Sequence, residues 1–294
     1  MRINKCIELL ESGQPVYTTT APTLTYAAGR DMSQTWADML TVEFEHHSFD
    51  TTGLAEFMRG LRDGGPTPSG HPTPTVIATL PANSTTTNEV LSNAWQSRHI
   101  LATGVHGLLQ THVRGRDAVE AFVATARYPF QTIGLDKGIP EGLRGSGGQA
   151  QASPIWGLTQ SEYVRRADPW PLNPKGELML GLKIEDRHGL ADADAAASTP
   201  GIAFAEWGPD DMGMSFGDPD LYDGPYPSHL DEAREAIMAA CQKADIAFYC
   251  GWRDPAMSEE ERARLLLEEI GAKILVAPTE TFAEIGRGIT GLAD

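Results

Sequence analysis

Short apolar segments alternate along this chain with longer segments in which apolar residues recur at helical spacing. The apolar segments are rich in β-branched and aromatic residues and predict eight strands, at Pro15–Ala21, Met39–His46, Pro74–Leu80, Gly107–Val113, Leu178–Glu185, Ile202–Trp207, Asp245–Cys250 and Ala272–Ala277. The segments between them predict helices, among them Thr51–Arg62, Glu89–Thr103, Arg116–Arg127, Leu230–Lys243 and Ser258–Ile270. Such alternation predicts parallel strands joined by right-handed crossovers. In a chain of 294 residues, eight strands predict an α/β fold of the (β/α)8 TIM-barrel type.

One segment interrupts the alternation. Residues 130–176 contain many glycines and prolines and only a short helical pattern at Ser161–Ala167. A connection of this length is usually functional or disordered. It follows the helix after the fourth strand, so we expect it to cover one end of the barrel or an oligomer interface. Without a repeat or a linker, the chain is predicted to form a single domain over residues 1–294.

Composition and charge exclude several classes of function. The formal net charge of −17 opposes binding to nucleic acid and to anionic membrane surfaces, which require clustered Lys and Arg. The three widely spaced cysteines, Cys6, Cys241 and Cys250, are typical of buried thiols in a reducing compartment. The amino-terminal segment does not have the pattern of a signal peptide, and no apolar segment is long enough to span a membrane. We therefore expect a cytoplasmic protein.

Two acidic residues stand at the ends of two predicted strands. Glu185 lies near the end of ELMLGLKIED, and Asp211 follows IAFAEWGP in a turn that continues as a Gly-Met-Ser-Phe-Gly loop. A carboxylate at the carboxyl end of a barrel strand points toward the end of the barrel where such enzymes place their chemistry. Two of them can hold a hard divalent cation and leave positions open for substrate. Alternatively, both are surface charges or helix caps.

Several segments together resemble a known family: VEFEHHSFD (42–50), GVHGLLQTHV (104–113), ARYPF (126–130), LRGSG (143–147), LKIEDRHGLADAD (182–194) and PGIAFAEWGPDDMGMSFG (200–217). They are similar to the metal-dependent pyruvate aldolases of the HpcH/HpaI type, which are related to citrate lyase β-type enzymes. The similarity extends from about Ile3 to Gly288. It implies a phosphoenolpyruvate/pyruvate-domain-like barrel in which Glu185 and Asp211 ligate Mg2+ or Mn2+, with Co2+ as a further candidate.

The resemblance also implies roles for other residues. An α-oxo acid would chelate the cation, which acts as a Lewis acid and stabilises the enolate formed when the carbon–carbon bond breaks. His46 matches the histidine that acts through water as general acid–base, which suits imidazole; alternatively, it is a buried, hydrogen-bonded histidine. Gly208 and Pro209 shape the turn before Asp211, whose backbone N–H groups could bind the substrate carboxylate, and Ser215 lies on the same predicted loop.

This chain departs from the family pattern at three places. Ile77 or Ala78 stands where the family has an arginine that binds the keto oxygen, and Ala102 or Thr103 stands where an acidic residue orients the catalytic histidine. Lys183 replaces a glutamine two residues before Glu185. Since residues i and i+2 share a strand face, Lys183 points into the barrel. It would either supply the missing positive charge or pair with Glu185 and compete with the cation; a Schiff-base role is less favoured.

Two further pairs of residues are candidates with open alternatives. His106 and His112 could rebuild the acid–base machinery, or they are core or loop histidines. Arg127 and Arg144 could contact an anion or an interface, although a structural role is favoured for each.

Three functions remain open at this point. The leading prediction is a divalent-metal-dependent carbon–carbon lyase, a retro-aldolase for a 4-hydroxy-2-oxo acid, with His46 and Lys183 as catalytic residues. The second is a specialised relative with a different, possibly aromatic, substrate, because the tryptophans at 156, 170, 207 and 252 could line a pocket. The third is an inactive barrel used for binding. The resemblance implies a homo-oligomer, a hexamer or trimer, in which the apolar stretch Thr281–Leu292 would take part as a carboxyl-terminal helix.

Overall fold

The computed structural model describes residues 1–220 and 223–291, and its strands form one parallel sheet. The strands are β1 (Val16–Thr20), β2 (Met39–Val42), β3 (Thr75–Thr79), β4 (Gly107–Gln110), β5 (Pro169–Trp170), β6 (Leu178–Lys183), β7 (Phe204–Glu206), β8 (Ala247–Cys250) and β9 (Ile274–Val276). Neighbouring strands follow the order of the chain, except that β4 pairs directly with β6 and the short β5 adds to β6. The last strand, β9, pairs with β1. The sheet therefore closes into an eight-stranded barrel, which confirms the predicted TIM barrel.

Helices surround this barrel. They are α1 (Lys5–Glu11), α2 (Tyr26–Met32), α3 (Thr51–Asp63), α4 (Thr87–Ser92), α5 (Ala94–Ala102), α6 (Arg116–Ala126), α7 (Gln149–Ala152), α8 (Gln160–Arg166), α9 (Arg187–Ala191), α10 (Ala193–Ala197), α11 (Pro209–Phe216), α12 (Ser228–Ala244), α13 (Glu259–Arg264) and α14 (Glu280–Thr290). A π-helical turn, Leu265–Ile270, continues α13, and Leu135–Lys137 forms a 3-10 turn. Within the described ranges, each helix is too short or too polar to cross a lipid bilayer.

Apolar side chains fill the barrel interior toward its amino end, and α1 closes this end. Met179, Phe204 and Tyr249 pack there together with Cys6 and Ile7 of α1. Gly181 leaves room for these side chains, since a Cβ on it would lie 2.2 Å from the Phe204 ring. Alternation along β6 therefore directs residues 179, 181 and 183 inward. With α1 across the amino end, the carboxyl ends of the strands and the loops that follow them form the open end, called the mouth below.

Three local predictions were wrong in extent. The second strand was predicted to reach His46 but ends at Val42, so residues 43–46 belong to the loop that follows β2. The predicted helix Glu89–Thr103 is two helices that meet at Asn93. The predicted Gly-Met-Ser-Phe-Gly loop is part of α11, because Pro209 at its first position favours a helix start and Gly217, with φ of 94°, ends it.

The long connection at residues 130–176 packs on the side of the barrel. Trp156 donates to the carbonyl oxygen of Gly104 at 2.8 Å, and β5 pairs with the first two residues of β6. Arg127 and Asp168 join its two ends through a buried ion pair of 2.7 Å. These contacts lie toward the amino end of the sheet rather than at the mouth. The carboxyl-terminal stretch predicted to Leu292 is α14 up to Thr290, and Leu292 lies outside the described residues.

Candidate active site at the carboxyl end of the barrel

Lys183 ends β6 and points into the mouth among carboxylates. Its ammonium nitrogen lies 3.0 Å from Glu185 Oε2 and donates a hydrogen bond to Glu45 Oε2. Glu206, its register partner on β7, adds a third carboxylate. Burial opposes the charged ammonium, but the charges of Glu206, Glu185 and Glu45 outweigh it and raise the pKa of Lys183. The side chain is therefore held as a protonated cation, and a free amine for a Schiff base is disfavoured.

Glu185 is buried directly behind this ammonium. The backbone N–H of His112 donates to its Oε1 at 3.1 Å. Burial raises the pKa of Glu185, an effect that Lys183 opposes and the negative charges of Glu45 and Asp211 reinforce. Gly208 approaches closely, since a Cβ on it would lie 3.0 Å from Glu185 Oε2. The start of α11 can thus pack against this carboxylate only because residue 208 has no side chain.

Glu206 is partly open to the mouth but surrounded by other acidic groups. Burial raises its pKa to about 8, Lys183 opposes the shift, and Glu185, Glu43 and Glu45 add to it. Glu43 accepts a hydrogen bond from the Thr79 hydroxyl at 2.9 Å. The mouth therefore concentrates acidic groups around one ammonium, and one of these groups is held protonated near neutral pH.

Glu45 connects the two sides of the mouth and is not among the site residues predicted from sequence. Its Oε1 lies 3.2 Å from His112 Nε2, and its Oε2 accepts from Lys183. Burial disfavours the ionised carboxylate of Glu45. The nearby His112 and Lys183 stabilise the ionised form more strongly and lower the pKa of Glu45 to about 2. The available signal was its spacing: Glu43 and Glu45, two residues apart, continue the inward-facing register of β2.

His112 follows β4 and, of the two alternative histidines, it is the one that reaches the mouth. Its φ of 43° is unusual for a residue with a side chain. The nearby carboxylates of Asp186 and Glu45 favour the charged imidazolium, outweigh burial and raise the pKa of His112 to about 10. His106, by contrast, is a core residue: its Nδ1 accepts from the Val76 N–H at 3.1 Å, and its ring stacks on Trp156.

His46 and Asp211 lie on the outer side of Glu45. The His46 side chain is 57% exposed, so it is not the buried histidine that the alternative required, and its Nε2 lies 3.6 Å from Glu45 Oε2. One donor atom each of Glu45, His46 and Asp211 lies within 4.8 Å of the other two. Asp211 stands in the first turn of α11, where Gly208 is the N-cap and Pro209 the first helical residue. His46 and Asp211 are thus brought together, although neither lies in a strand.

Other candidates are placed away from the mouth. The Ser215 hydroxyl accepts from the Arg187 N–H at 2.9 Å and so ties α11 to α9. Arg144 stacks on Tyr128 at 4.4 Å and, like the ion-paired Arg127, has the structural role that was favoured. Trp156 and Trp207 are buried in the core, and Trp170 lies at the amino end of β6. These three tryptophans therefore do not form the aromatic pocket considered from sequence.

The donors at the mouth fit a divalent cation. A second set of donor atoms, from Glu45, His112 and Glu185, also lies within 4.8 Å of one another. Carboxylate oxygens and imidazole nitrogens are ordinary ligands of first-row divalent ions. Among the described residues, buried Glu185 Oε2 has no hydrogen-bond donor, and the Lys183 ammonium faces it as a charge at 3.0 Å. A cation between Glu45 and Glu185 would displace this ammonium.

A cavity adjoins the outer side of these donors. It has a volume of about 800 Å3 and lies between the loops that follow β1 and β2. Its lining includes Thr20, Pro22, Leu24, Glu43, His46 and Asp50. A small organic molecule could thus reach His46 from this side.

Comparisons with known proteins agree with this architecture. A family model described as HpcH/HpaI aldolase/citrate lyase matches residues 81–268. A hydroxypyruvate/pyruvate aldolase of Paraburkholderia phytofirmans is 23% identical over 80% of this chain and 78% of its own. An enzyme of the same name from Sagittula stellata is 28% identical over 63% and 65% of the two chains. A crystal structure of an HpcH/HpaI aldolase/citrate lyase family protein from Burkholderia cenocepacia superimposes with a TM-score of 0.70 and 19% identity, covering 98% and 96% of the chains.

Proposed function

Since the chain belongs to the HpcH/HpaI aldolase/citrate lyase family, we propose that it is a divalent-metal-dependent retro-aldolase for a 4-hydroxy-2-oxo acid. Family membership and the names of the relatives indicate a carbon–carbon lyase acting on pyruvate or another oxo acid. The products would be pyruvate, or a related enolisable acid, and an aldehyde. The observation that carries this proposal is a pair of donor sets that share Glu45 at the open end of the barrel, one with His112 and Glu185 and the other with His46 and Asp211.

Glu185 and Asp211 are the proposed cation ligands. When bound there, a divalent cation such as Mg2+, Mn2+ or Co2+ polarises the 2-oxo group and stabilises the enolate. Glu185 is fixed by the N–H of His112, and Asp211 by its place in the first turn of α11. Each carboxylate belongs to a donor set that includes Glu45, so the proposal places the shared ion beside Glu45.

His46 is the proposed acid–base. Its imidazole would take the proton of the substrate 4-hydroxyl, and the bond between carbons 3 and 4 would break, with its electrons passing to the enolate. The same proton would then be returned to carbon 3 to give pyruvate. Support comes from the exposure of His46 to the cavity and from Glu45, whose carboxylate lies beside the ring. A positioned general base of this kind contributes about 10²–10⁴-fold to a rate.

Lys183 is the proposed substitute for the missing arginine. A positive charge beside the developing oxyanion stabilises the negative charge of the transition state. The carboxylates around Lys183 keep it protonated, which suits an electrostatic role rather than a Schiff base. Gly208 and Pro209 would complete the site by shaping the start of α11, because the N-terminal end of a helix favours a substrate carboxylate. Ser215 would act there by holding α11 against α9.

We also propose that the protein assembles as a homo-oligomer. Four large apolar side chains of the long connection are exposed: Phe130, Ile133, Leu135 and Leu143. These four residues lie close together in the chain, and large exposed apolar patches commonly mark protein interfaces. Sedimentation equilibrium would give the number of copies, and a monomer at micromolar concentration would contradict this part of the proposal.

The test is release of pyruvate from a panel of 4-hydroxy-2-oxo acids with Mg2+, Mn2+ or Co2+. We expect turnover that chelation abolishes and that Glu185→Gln and Asp211→Asn each reduce at least about 100-fold. Glu232→Gln, at an exposed position on α12, is the matched control and should keep wild-type turnover. Absence of turnover with every substrate, despite cation binding, would favour the specialised lyase. If the protein neither turns over any substrate nor binds a cation, an inactive barrel is favoured, in which the Lys183 ion pairs replace the metal.

A further inference from the structure

Among the described residues, His112 is the imidazole of the mouth that lies beside Glu185. Its Nε2 is 3.2 Å from Glu45 Oε1, and its Nδ1 is 3.8 Å from Glu185 Oε1. Neighbouring ligands of an octahedral ion with bonds of about 2.1 Å are about 3.0 Å apart. The spacing of His112 and Glu45 is therefore close to that of two ligands of one ion.

Asp186 holds the other side of the His112 ring. Its Oδ2 lies 3.8 Å from His112 Nδ1, so a small rotation of the ring would bring the two into hydrogen-bond contact. Arg114 Nε, at 3.0 Å, and the backbone N–H groups of His188 and Gly189 fix this carboxylate. Histidine ligands of metals usually donate their second nitrogen to a carboxylate, which orients the ring. The arrangement thus leaves Nε2 to face Glu45.

The position of Lys183 marks the space between Glu45 and Glu185 as one that attracts positive charge. Its ammonium contacts both Glu45 and Glu185, the two carboxylates of this donor set. The side chain of Glu185 is fully buried, and its Oε2 has no hydrogen-bond donor among the described residues. A divalent ion in place of the ammonium would be bound by this oxygen. It would also lie close enough to His112 for the imidazole to bind it.

We propose that Glu45 and His112 ligate the divalent cation together with Glu185, that Asp186 orients the His112 ring, and that the site consequently prefers a transition-metal ion to Mg2+. Imidazole suits Zn2+, Co2+ and related ions, whereas Mg2+ is bound by oxygen. The inference rests on the proposed function, because it concerns the same cation. It adds two ligands and a metal preference to the pair Glu185 and Asp211.

The test measures binding of metal ions rather than turnover. The metal-free protein is titrated calorimetrically with Co2+ and with Mg2+, and the visible spectrum of the Co2+ complex is recorded. The informative variant is His112→Asn, because Asn tolerates the positive φ of this position and lacks the imidazole. His99→Gln removes an exposed imidazole from α5 and is the matched control. A thermal melt of each variant shows that it is folded.

We expect wild type and His99→Gln to bind Co2+ at least about tenfold more tightly than Mg2+. His112→Asn should lose at least about tenfold in Co2+ affinity, change the Co2+ spectrum, and keep its Mg2+ affinity within about threefold. Asp186→Asn keeps an oxygen that can accept the N–H groups of His188 and Gly189, and should lose about tenfold in Co2+ affinity through the ring orientation.

The outcomes separate this inference from the proposed function. A folded His112→Asn variant with wild-type Co2+ affinity and spectrum would overturn the inference, while loss of binding in Glu185→Gln would leave the proposed function standing. A wild-type protein that binds neither ion would overturn both.

Discussion

The ammonium of Lys183 lies 3.0 Å from the carboxylate of Glu185, two positions further along the chain. One residue is a proposed metal ligand, and the other carries the positive charge that a metal would otherwise supply. The protein therefore neutralises part of its own metal site. Any cation that binds must move this ammonium, which then becomes available to a substrate oxygen.

Replacement of Lys183 should separate its competition with a metal ion from its stabilisation of a substrate oxygen. In Lys183→Gln the competing charge is gone, so we expect affinity for Mn2+ or Co2+ to rise about tenfold. Turnover should nevertheless fall at least about 100-fold, because the oxyanion loses its cation. Calorimetry and steady-state kinetics measure the two effects. Lys243→Gln, which removes an exposed ion pair with Asp194, is the control and should change neither. Unchanged affinity and turnover in Lys183→Gln would contradict both roles.

Gly208 gives a prediction about the geometry of the site. Its φ of −105° suits any residue, so Gly208→Ala meets no backbone strain. The new methyl group would instead lie 3.0 Å from Glu185 Oε2 and push this carboxylate away. We expect metal affinity to fall about tenfold while the melting temperature changes little. Gly288→Ala, where a Cβ meets open space, should leave affinity unchanged. Equal affinities in the two variants would show that the approach of Gly208 is unimportant.

His46 can be tested against its neighbour His47. His46→Gln removes the proposed acid–base and should lower kcat about 100-fold or more. Metal affinity should stay within about threefold, since His46 is exposed and is not a proposed ligand. His47→Gln removes an exposed imidazole one residue away and should retain wild-type kcat. If both variants keep wild-type turnover, a group other than His46 moves the proton.

The barrel could be predicted from sequence because each strand is a local feature. Segments such as Leu178–Glu185 combine β-branched or leucine-rich composition with a length typical of strands, and their inward alternation correctly placed Lys183 and Glu185 on one face. Where each strand ends is set by contacts with other elements. The second strand stops at Val42, and this shift moved His46 into a loop.

The relationships within the mouth were less predictable, because they join residues distant in the chain. Glu45 contacts Lys183, which is 138 positions away in the chain, and also contacts His112, which follows another strand. Because these residues are far apart in the sequence, no pattern linked Glu45 to the site. For the same reason, His106 and His112 stayed open as alternatives. The helix α11 was taken for a loop because its glycines and short length conceal it, although Pro209 and Gly217 delimit it as a helix.

The buried pair of Arg127 and Asp168 should contribute to stability rather than to catalysis. Arg127→Met leaves the Asp168 carboxylate buried without its partner, which typically costs about 3–5 kcal/mol. Arg59→Met breaks an exposed pair with Glu56 and should cost at most about 0.5 kcal/mol. Urea unfolding of both variants measures the difference. A loss below about 1 kcal/mol for Arg127→Met would mean that the long connection is not anchored by this pair.

Glu206 makes stability depend on pH near neutrality. Its pKa is raised from 4.5 to about 8 in the folded protein, so between these values the folded state keeps a proton that the unfolded state has released. The free energy of unfolding should therefore decrease as the pH rises through this window and level off above about pH 8. In Glu206→Gln this part of the decrease disappears. We expect the variant to match wild type near about pH 4 and to be more stable near about pH 9, by up to about 5 kcal/mol and by less where solvent screens the carboxylate. Urea unfolding at both pH values gives the difference, with Glu232→Gln on α12 as the exposed control. A Glu206→Gln variant less stable than wild type at high pH would show that the ionised carboxylate and Lys183 form a net favourable pair.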